Sequence, residues 1–549
     1  MKKKIVSLFL ILTVALTMCI GSSGSAFAGD QMNRVNMQVK VDEGEAVTIK
    51  AYNASYKYNT YISLRDLCSV LTGTEKQMNL QKDEESGDYI ITTGQPYIQA
   101  GGENEPFDEM TPDSIGMTTP YFIIDGSKQE YSVYETENDV YMKLLDLGLV
   151  FGLTVDLQNR DLLTVDTKQP FRIDIDHLDD NGYFSFLHGV LLGNADTGEI
   201  LYGCKEDVKT QIASTSKLMT YLLVQEAIES GKLSLDSKVK LSEAVIEEAN
   251  SEDSTSVFRN NFKLGQEVSV HDLLAGMLLP SANECATALA EAVSGSEEKF
   301  VVKMNNRAKK LGLTTAVFYN PHGLPDYDKH AVTAKRQNSM SAEDMFKLVT
   351  YLLENYEDEL TYFTSKTSID IPTVGEGAKA NCTYSTLIYN LGVTGLKTGT
   401  TNRSGACIVT VIPVKNGGKT QNLVSVLFGA ENNMERYEKS TMMLKYGQQF
   451  YAEKNAVTGT VLKASAVATA KGIKVSWKRT GSKVDGYQVY RAAKKGGKYT
   501  KIVTSHKLSA LNKSVKKGKT YYYKVRGYKD IDGKTVYTKW SNVITKKAK

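Results

Sequence analysis

The sequence predicts a multidomain chain: a small α+β module, a large domain of mixed helices and strands, and a closing β-sandwich. Three observations carry this. Residues 30–170 contain an imperfect repeat, the middle of the chain holds three short polar motifs in order, and residues 460–549 turn to alternating apolar positions. A length of 549 residues leaves room for three or four domains with a large core. An apolar share of 41% and a charged share of 23% are ordinary for a globular protein and exclude a disordered or fibrous chain.

Residues 1–28 read as a secretory signal peptide. Lys2-Lys3-Lys4 precede an apolar run from Ile5 to Ile20, and Ala26-Phe27-Ala28 supplies an A-x-A cleavage site. The run is short for a membrane anchor, and Met18 is too bulky for a lipobox around Cys19. No later stretch is apolar enough to span a bilayer. The expected location is therefore outside the cytoplasm, secreted and held at the wall or cell surface. The five remaining cysteines, Cys68, Cys204, Cys285, Cys382 and Cys407, are odd in number and scattered, which is no disulfide framework. With neither C-x-x-C nor H-E-x-x-H present, no metal and no cofactor are expected.

In residues 30–170, Asn59-Thr60-Tyr61-Ile62-Ser63-Leu64-Arg65-Asp66-Leu67 returns as Asn138-Asp139-Val140-Tyr141-Met142-Lys143-Leu144-Leu145-Asp146-Leu147. Each copy reads as a short strand entering an amphipathic helix, followed by a further strand at 88–92 or 162–166. The module resembles the N-terminal domain of copper amine oxidases, without a copper site in either copy. It is expected to act as a stalk or wall contact.

The central domain, residues 184–456, is organised around Gln211 to Thr220. Ser214 stands at the mouth of a helix with Lys217 three residues on, on the same face, where an amine can activate a weak nucleophile. The helix N-terminus adds backbone N–H groups where an oxyanion would form. S-x-x-K also occurs at Ser237/Lys240, Ser296/Lys299 and Ser514/Lys517, so context has to decide. Ser281-Ala282-Asn283 follows a helix that stops at Pro280. Its hydroxyl and amide suit proton relay and substrate binding, or Ser281 simply caps the next helix. Gly395 to Thr401 reads as a strand in which Lys397 offers a cation, Thr398 a hydroxyl, and Gly399 room for a close backbone. The alternative is an edge strand with a solubilising lysine. The three motifs in this order favour catalysis.

This set, with the hairpin-like 188–202 and Asn320-Pro321-His322-Gly323, resembles the serine D-alanyl-D-alanine carboxypeptidases, low-molecular-weight penicillin-binding proteins related to serine β-lactamases. The resemblance implies an α/β domain of the β-lactamase/transpeptidase-like type, a mainly antiparallel sheet flanked by helices. It implies that Ser214 attacks the bond between two terminal D-alanines of peptidoglycan stem peptides, with β-lactams as inhibitors. Lys217 would take the proton, lowered by burial and by Lys397, while Ser281 passes a proton to the departing amine and Asn283 orients the substrate. Lys397, Thr398, Gly399 and Thr400 would bind substrate, the N–H groups of Ser214 and Thr400 forming the oxyanion hole. Arg436 would hold the terminal carboxylate, with Arg403 as competitor, and His322 is read as structural. A β-lactamase would need S-D-N and a deacylating glutamate. The same motifs are compatible with a DD-endopeptidase or a transpeptidase, and a non-catalytic wall-binding protein would keep the domain as a scaffold. The absence of G-x-S-x-G disfavours a Ser-His-Asp hydrolase.

In residues 460–549, Ile473, Val475 and Trp477 alternate, as do Tyr487, Val489 and Arg491, and Tyr521, Tyr523 and Val525. The segment resembles a fibronectin type III module. It holds 24 Lys and Arg against three Asp, a charge of +21, which leaves −18 for the rest of a chain whose total is +3. That asymmetry predicts attraction to a polyanion, anionic wall polymer rather than nucleic acid.

Overall fold

The computed structural model describes residues 32–54, 60–107, 115–131, 133–159, 162–169, 171–180, 183–251, 258, 260–325 and 336–549; the expected signal peptide lies outside them. The chain divides into two units. One holds the residues up to 412 together with 422–444, and the other holds 413–421 with 445–549. The repeat module and most of the central domain thus share one unit.

An eight-stranded sheet forms the base of the repeat module. Its strands are β1 (Met32–Val41), β2 (Ala46–Ala54), β3 (Thr60–Ser63), β6 (Gly116–Thr118), β9 (Val133–Glu135), β10 (Val140–Lys143), β11 (Thr154–Asn159) and β12 (Leu162–Asp166), in the order β11-β12-β1-β2-β3-β10-β9-β6. A second sheet contains β4 (Met78–Lys82), β5 (Tyr89–Thr93), β7 (Tyr121–Ile124) and β8 (Ser127–Glu130). The copies run β3-α1-β4-β5 and β10-α2-β11-β12, with α1 at Leu64–Leu71 and α2 at Leu144–Phe151. They meet where β3 and β10 pair antiparallel with Ile62 opposite Met142, Ser63 opposite Tyr141 and Tyr61 opposite Lys143. Because Ile62 and Met142 are also equivalent in the repeat, the copies are related by a local two-fold axis through that pair. The copies start their helices differently. Ser63 accepts from the Asp66 N–H, whereas Lys143, in the same position, makes no side-chain cap. A short helix, α3 (Ile175–Asp180), then leads toward the central domain.

There, β13 (Gly189–Asn194), β14 (Glu199–Cys204), β15 (Gly395–Thr401), β16 (Gly405–Asn416) and β17 (Lys419–Ala430) form one sheet, ordered β14-β13-β17-β16-β15. β15, the strand with Lys397, is therefore an edge. Opposite it lies a helical lobe built on α4 (Lys217–Glu229), buried at nearly every position because neighbours cover it on all sides. Around it stand α5 (Glu243–Asn250), α6 (Val270–Leu278), α7 (Asn283–Ser294) and α8 (Glu297–Lys310). α9 (Ala342–Thr364) packs against α4, β13 and β15, while α10 (Ser385–Leu391) and α11 (Asn433–Thr458) flank β15 in sequence. Helix starts follow from side-chain caps: Ser269, Ser296 and Ser341 accept from Asp272, Lys299 and Asp344 N–H groups. The S-x-x-K at Ser296/Lys299 is one of these caps.

In the second unit, Val461–Thr469, Gly472–Thr480 and Ser509–Asn512 form one sheet. Gly486–Ala492, Thr500–Ser505, Thr520–Ile531, Lys534–Tyr537 and Ile544–Lys547 form another. Ile473, Val475 and Trp477 of the first meet Tyr487, Val489, Tyr521, Tyr523 and Val525 of the second in one core, which makes the unit a β-sandwich.

Candidate active site

Ser214 sits in a single 3-10 turn, Ala213–Ser216, directly before α4. The turn is held by its own hydroxyls: Thr215 donates to the Ile212 carbonyl at 2.6 Å and Ser216 to the Ala213 carbonyl at 2.8 Å. Ala213 adopts φ 44°, a left-handed conformation uncommon for a residue with a side chain. Gly323, at φ +96°, backs the turn so closely that a Cβ there would lie 2.0 Å from the Ala213 carbonyl oxygen. One turn later the Lys217 amine is completely buried. It contacts Ser214 Oγ at 2.8 Å and donates to Asn283 Oδ1 at 2.6 Å and the His322 carbonyl at 2.9 Å.

Burial pushes the Lys217 amine down to about 7, against the opposing pull of Glu248 and Glu284. Lys397, also fully buried, is held well below its ordinary value by burial and by the charges of Lys217 and Arg436. The charge of Lys217 thus helps lower Lys397, whereas Lys217 itself is lowered by its burial. The His322 ring is neutral, pushed down to about 3 by burial, and its Nδ1 accepts the Leu324 N–H. Its carbonyl, not its imidazole, serves the site.

Ser281 and Asn283 stand at the turn into α7. The residue at the cap position is Ala282, so the helix-cap reading of Ser281 does not hold. Ser281 has φ 72°, a second strained position beside the nucleophile. Its hydroxyl makes no hydrogen bond among the described residues, so the structure brings Asn283, not Ser281, into direct contact with Lys217.

On the other side, Lys397 donates to the Thr398 carbonyl at 3.0 Å. Gly399 faces the nucleophile, and a Cβ there would come within 2.7 Å of the Ser214 nitrogen, closing the space where an oxyanion would be held. Arg436 is 4% exposed and lies under this strand, donating to Thr400 Oγ1 at 2.9 Å and the Gly399 carbonyl at 3.3 Å. Arg403 is exposed on the turn after β15, so geometry places Arg436 at the strand. Three further contributors were given no site role from the sequence. Thr383 and Thr398 share a hydrogen bond of 2.7 Å, and Tyr437 accepts from Arg436 at 2.9 Å while donating to the Thr383 carbonyl at 2.6 Å. Gly323 is the third. Gly323 lies in the Asn320-Pro321-His322-Gly323 segment noted in the sequence and Tyr437 adjoins Arg436, whereas Thr383 had no signal there. Among the described residues no group of acids, histidines and cysteines is arranged to hold a metal.

These groups define a chemical class: a hydroxyl nucleophile with an amine as its base, facing an open sheet edge along which a peptide can lie as an added strand. Residues 188–432 match the family model described as D-alanyl-D-alanine carboxypeptidase. D-alanyl-D-alanine carboxypeptidase DacF of Bacillus subtilis is 34% identical over 257 residues, which cover 47% of this chain and 60% of the relative. The carboxypeptidase DacC of Escherichia coli is 32% identical over 257 residues, 46% of this chain and 59% of the relative. The chain thus spans about 60% of the length of these curated relatives. Among solved structures, penicillin-binding protein D2 of Listeria monocytogenes in its cefotaxime-bound form has 30% identity and a TM-score of 0.41, covering 48% of this chain and 96% of that one.

Proposed function

We propose that this chain is a serine D-alanyl-D-alanine carboxypeptidase that trims the terminal D-alanine from peptidoglycan stem pentapeptides. The observation that carries the reading is the 2.8 Å contact between Ser214 Oγ and a wholly buried Lys217 amine whose pKa is lowered to about 7. Lys217 accepts the hydroxyl proton as Ser214 attacks the penultimate D-alanine carbonyl. The tetrahedral oxyanion sits against the N–H groups of Ser214 and Thr400. The C–N bond then breaks, and the proton reaches the leaving D-alanine through the Ser281 hydroxyl. Water hydrolyses the acyl-enzyme and frees Ser214. Asn283 holds Lys217 in place and orients the peptide. Thr398 and Thr400, backed by Arg436, meet the terminal carboxylate, for which an arginine-supported hydroxyl pair is suited.

β-Lactams acylate the same serine, because their strained amide replaces the D-alanyl-D-alanine bond. The signal peptide supports action outside the cytoplasm. The sandwich is read as fibronectin type III-like and as the wall-retention module. On its outer face the Lys524 amine lies 3.9 Å from the Trp540 ring centre and the Arg526 guanidinium 3.6 Å from that of Tyr537, which suits an anionic glycan. Loss of wall binding on stripping the anionic polymer would be the expected result.

The decisive experiment is the intact mass of the mature protein after benzylpenicillin, beside Ser214→Ala. A stable adduct on the parent alone, with D-alanine release from a pentapeptide, is the expected outcome. No adduct with the drug intact would favour a wall-binding scaffold, and no adduct with the drug consumed a β-lactamase.

A further inference from the structure

Among the described residues β15 pairs only with β16, so its outer edge is open to a peptide. One buried side chain joins that strand to the nucleophile turn. Gln337, 6% exposed, donates from Nε2 to Thr401 Oγ1 at 2.8 Å, one residue beyond Thr400. The next residue, Asn338, accepts the Ile212 N–H on its carbonyl at 3.2 Å, two residues before Ser214. The backbone here is fixed further by the pairing of Ser339 with Gln211 and by Asn338 Oδ1, which accepts the Tyr319 N–H at 2.7 Å. Gln337 therefore stands between the two walls of the cleft, on the side of Thr400 away from Thr398.

The surrounding hydrogen bonds fix which way its amide points. Ser404 donates its single hydroxyl proton to the Gly405 carbonyl at 2.8 Å, so Ser404 Oγ can otherwise only accept. It takes the Thr401 N–H at 3.0 Å and the Thr401 hydroxyl at 2.9 Å. With its proton committed there, Thr401 Oγ1 is left as an acceptor, for the Ser404 N–H at 3.1 Å and for Gln337 Nε2. Reversing the amide would set two oxygens against each other with no proton between them. Gln337 Oε1 is therefore turned away from Thr401. It is buried and accepts from no group among the described residues. A buried amide oxygen without a donor is unfavourable, and at the wall of a cleft it marks a group that a ligand completes.

The direction of the peptide says which part of it arrives there, and this step rests on the carboxypeptidase reading. With the oxyanion against the Thr400 N–H and the terminal carboxylate toward Thr398, a peptide laid on β15 runs antiparallel to it. Its upstream residues pass Thr401, advancing about 3.4 Å per residue. The residue before the two D-alanines thus comes abreast of Gln337. We infer that Gln337 is a substrate-binding residue whose Oε1 accepts an N–H from that third-from-last residue. Two groups can supply the N–H, the backbone amide and a side-chain amine. Benzylpenicillin carries no N–H beyond the amide that stands for the penultimate D-alanine, so it offers Gln337 no donor.

The test uses the full mature chain and Gln337→Met. Measured are KM and kcat for D-alanine release from an N-acetylated lysyl-D-alanyl-D-alanine, and the rate of benzylpenicillin acylation. The variant should raise KM about tenfold with kcat nearly unchanged, and acylate with the drug within about twofold of the parent. Two altered peptides then separate the sources of the N–H: norleucine in place of lysine removes the amine, and N-methylation at that residue removes the backbone donor. The peptide that no longer distinguishes variant from parent names the donor. An unchanged KM, an equal loss on peptide and drug, or a difference that survives both alterations would each overturn the inference and leave Gln337 a support for Thr401. Should Gln337→Met fail to fold, the parent alone decides. One of the altered peptides should show the tenfold rise in KM, and indifference to both would overturn the inference. A parent that neither takes the drug nor releases D-alanine sinks the carboxypeptidase reading and this inference with it, whereas an active parent confines any failure to Gln337.

Discussion

At the residue scale, the site turns on which group loses a proton. The Lys217 amine is lowered to about 7, and only its neutral form can accept the Ser214 proton. Acylation should therefore rise with pH through about 7 and level off above. The same limb should persist in His322→Gln, since the His322 imidazole is already neutral, lowered to about 3. Stopped-flow acylation with a chromogenic β-lactam from pH 5 to 9 reads both profiles; a limb that vanishes in His322→Gln would transfer the base role to the imidazole. Lys217→Arg keeps the charge but cannot release it, and should slow acylation at least about 100-fold. That Ser214, Lys217 and Asn283 would lie together was legible in the sequence, because a nucleophile and its base would need particular side chains at particular spacing. The His322 carbonyl and Thr383 were not. A backbone oxygen has no residue signature, and Thr383 reaches Thr398 only through the fold.

At the scale of elements, the turn before α4 is the fragile part. Gly323→Ala would drive a Cβ into the Ala213 carbonyl and must displace the nucleophile. The expected cost is about 1–3 kcal/mol in stability, with loss of the drug adduct by mass spectrometry. Ser296→Ala, by contrast, removes only a helix cap, the Lys299 N–H partner. It should cost about 1 kcal/mol in thermal unfolding and leave acylation untouched. The two S-x-x-K sequences look alike on paper and differ in whether the lysine side chain or its backbone meets the serine. α11 was the element least open to sequence reading. Glu438 and Lys439 are both buried, because Tyr183, far away in sequence, bonds to each of them.

At the scale of the whole molecule, the chain was legible as modules, because an internal repeat, a motif series and a change in charge each leave a local mark. Their boundaries were less so. The repeat module and the central domain share one unit, since the residues that join them are scattered single positions rather than a pattern. The second unit has its own core, and Trp477 is at its centre, 3% exposed. Trp477→Ala should destabilise that unit by about 3–5 kcal/mol, seen as a separate calorimetric transition, while Ser214 still takes up the drug. The thiols add nothing covalent, for Cys68, Cys204, Cys285, Cys382 and Cys407 are all free.

The axis through Ile62 and Met142 also speaks to ancestry. Two equivalent segments that pair with each other across an axis are what remains when a symmetric dimer of one β-α-β-β unit becomes fused into a single polypeptide. In such a dimer the residue on the axis contacts its own copy, so each half of today's pair sits in nearly the same surroundings as the other. Exchanging the two, Ile62→Met with Met142→Ile, should therefore leave the melting temperature close to that of the parent. Each single change, placing two identical side chains on the axis, would recreate the ancestral contact.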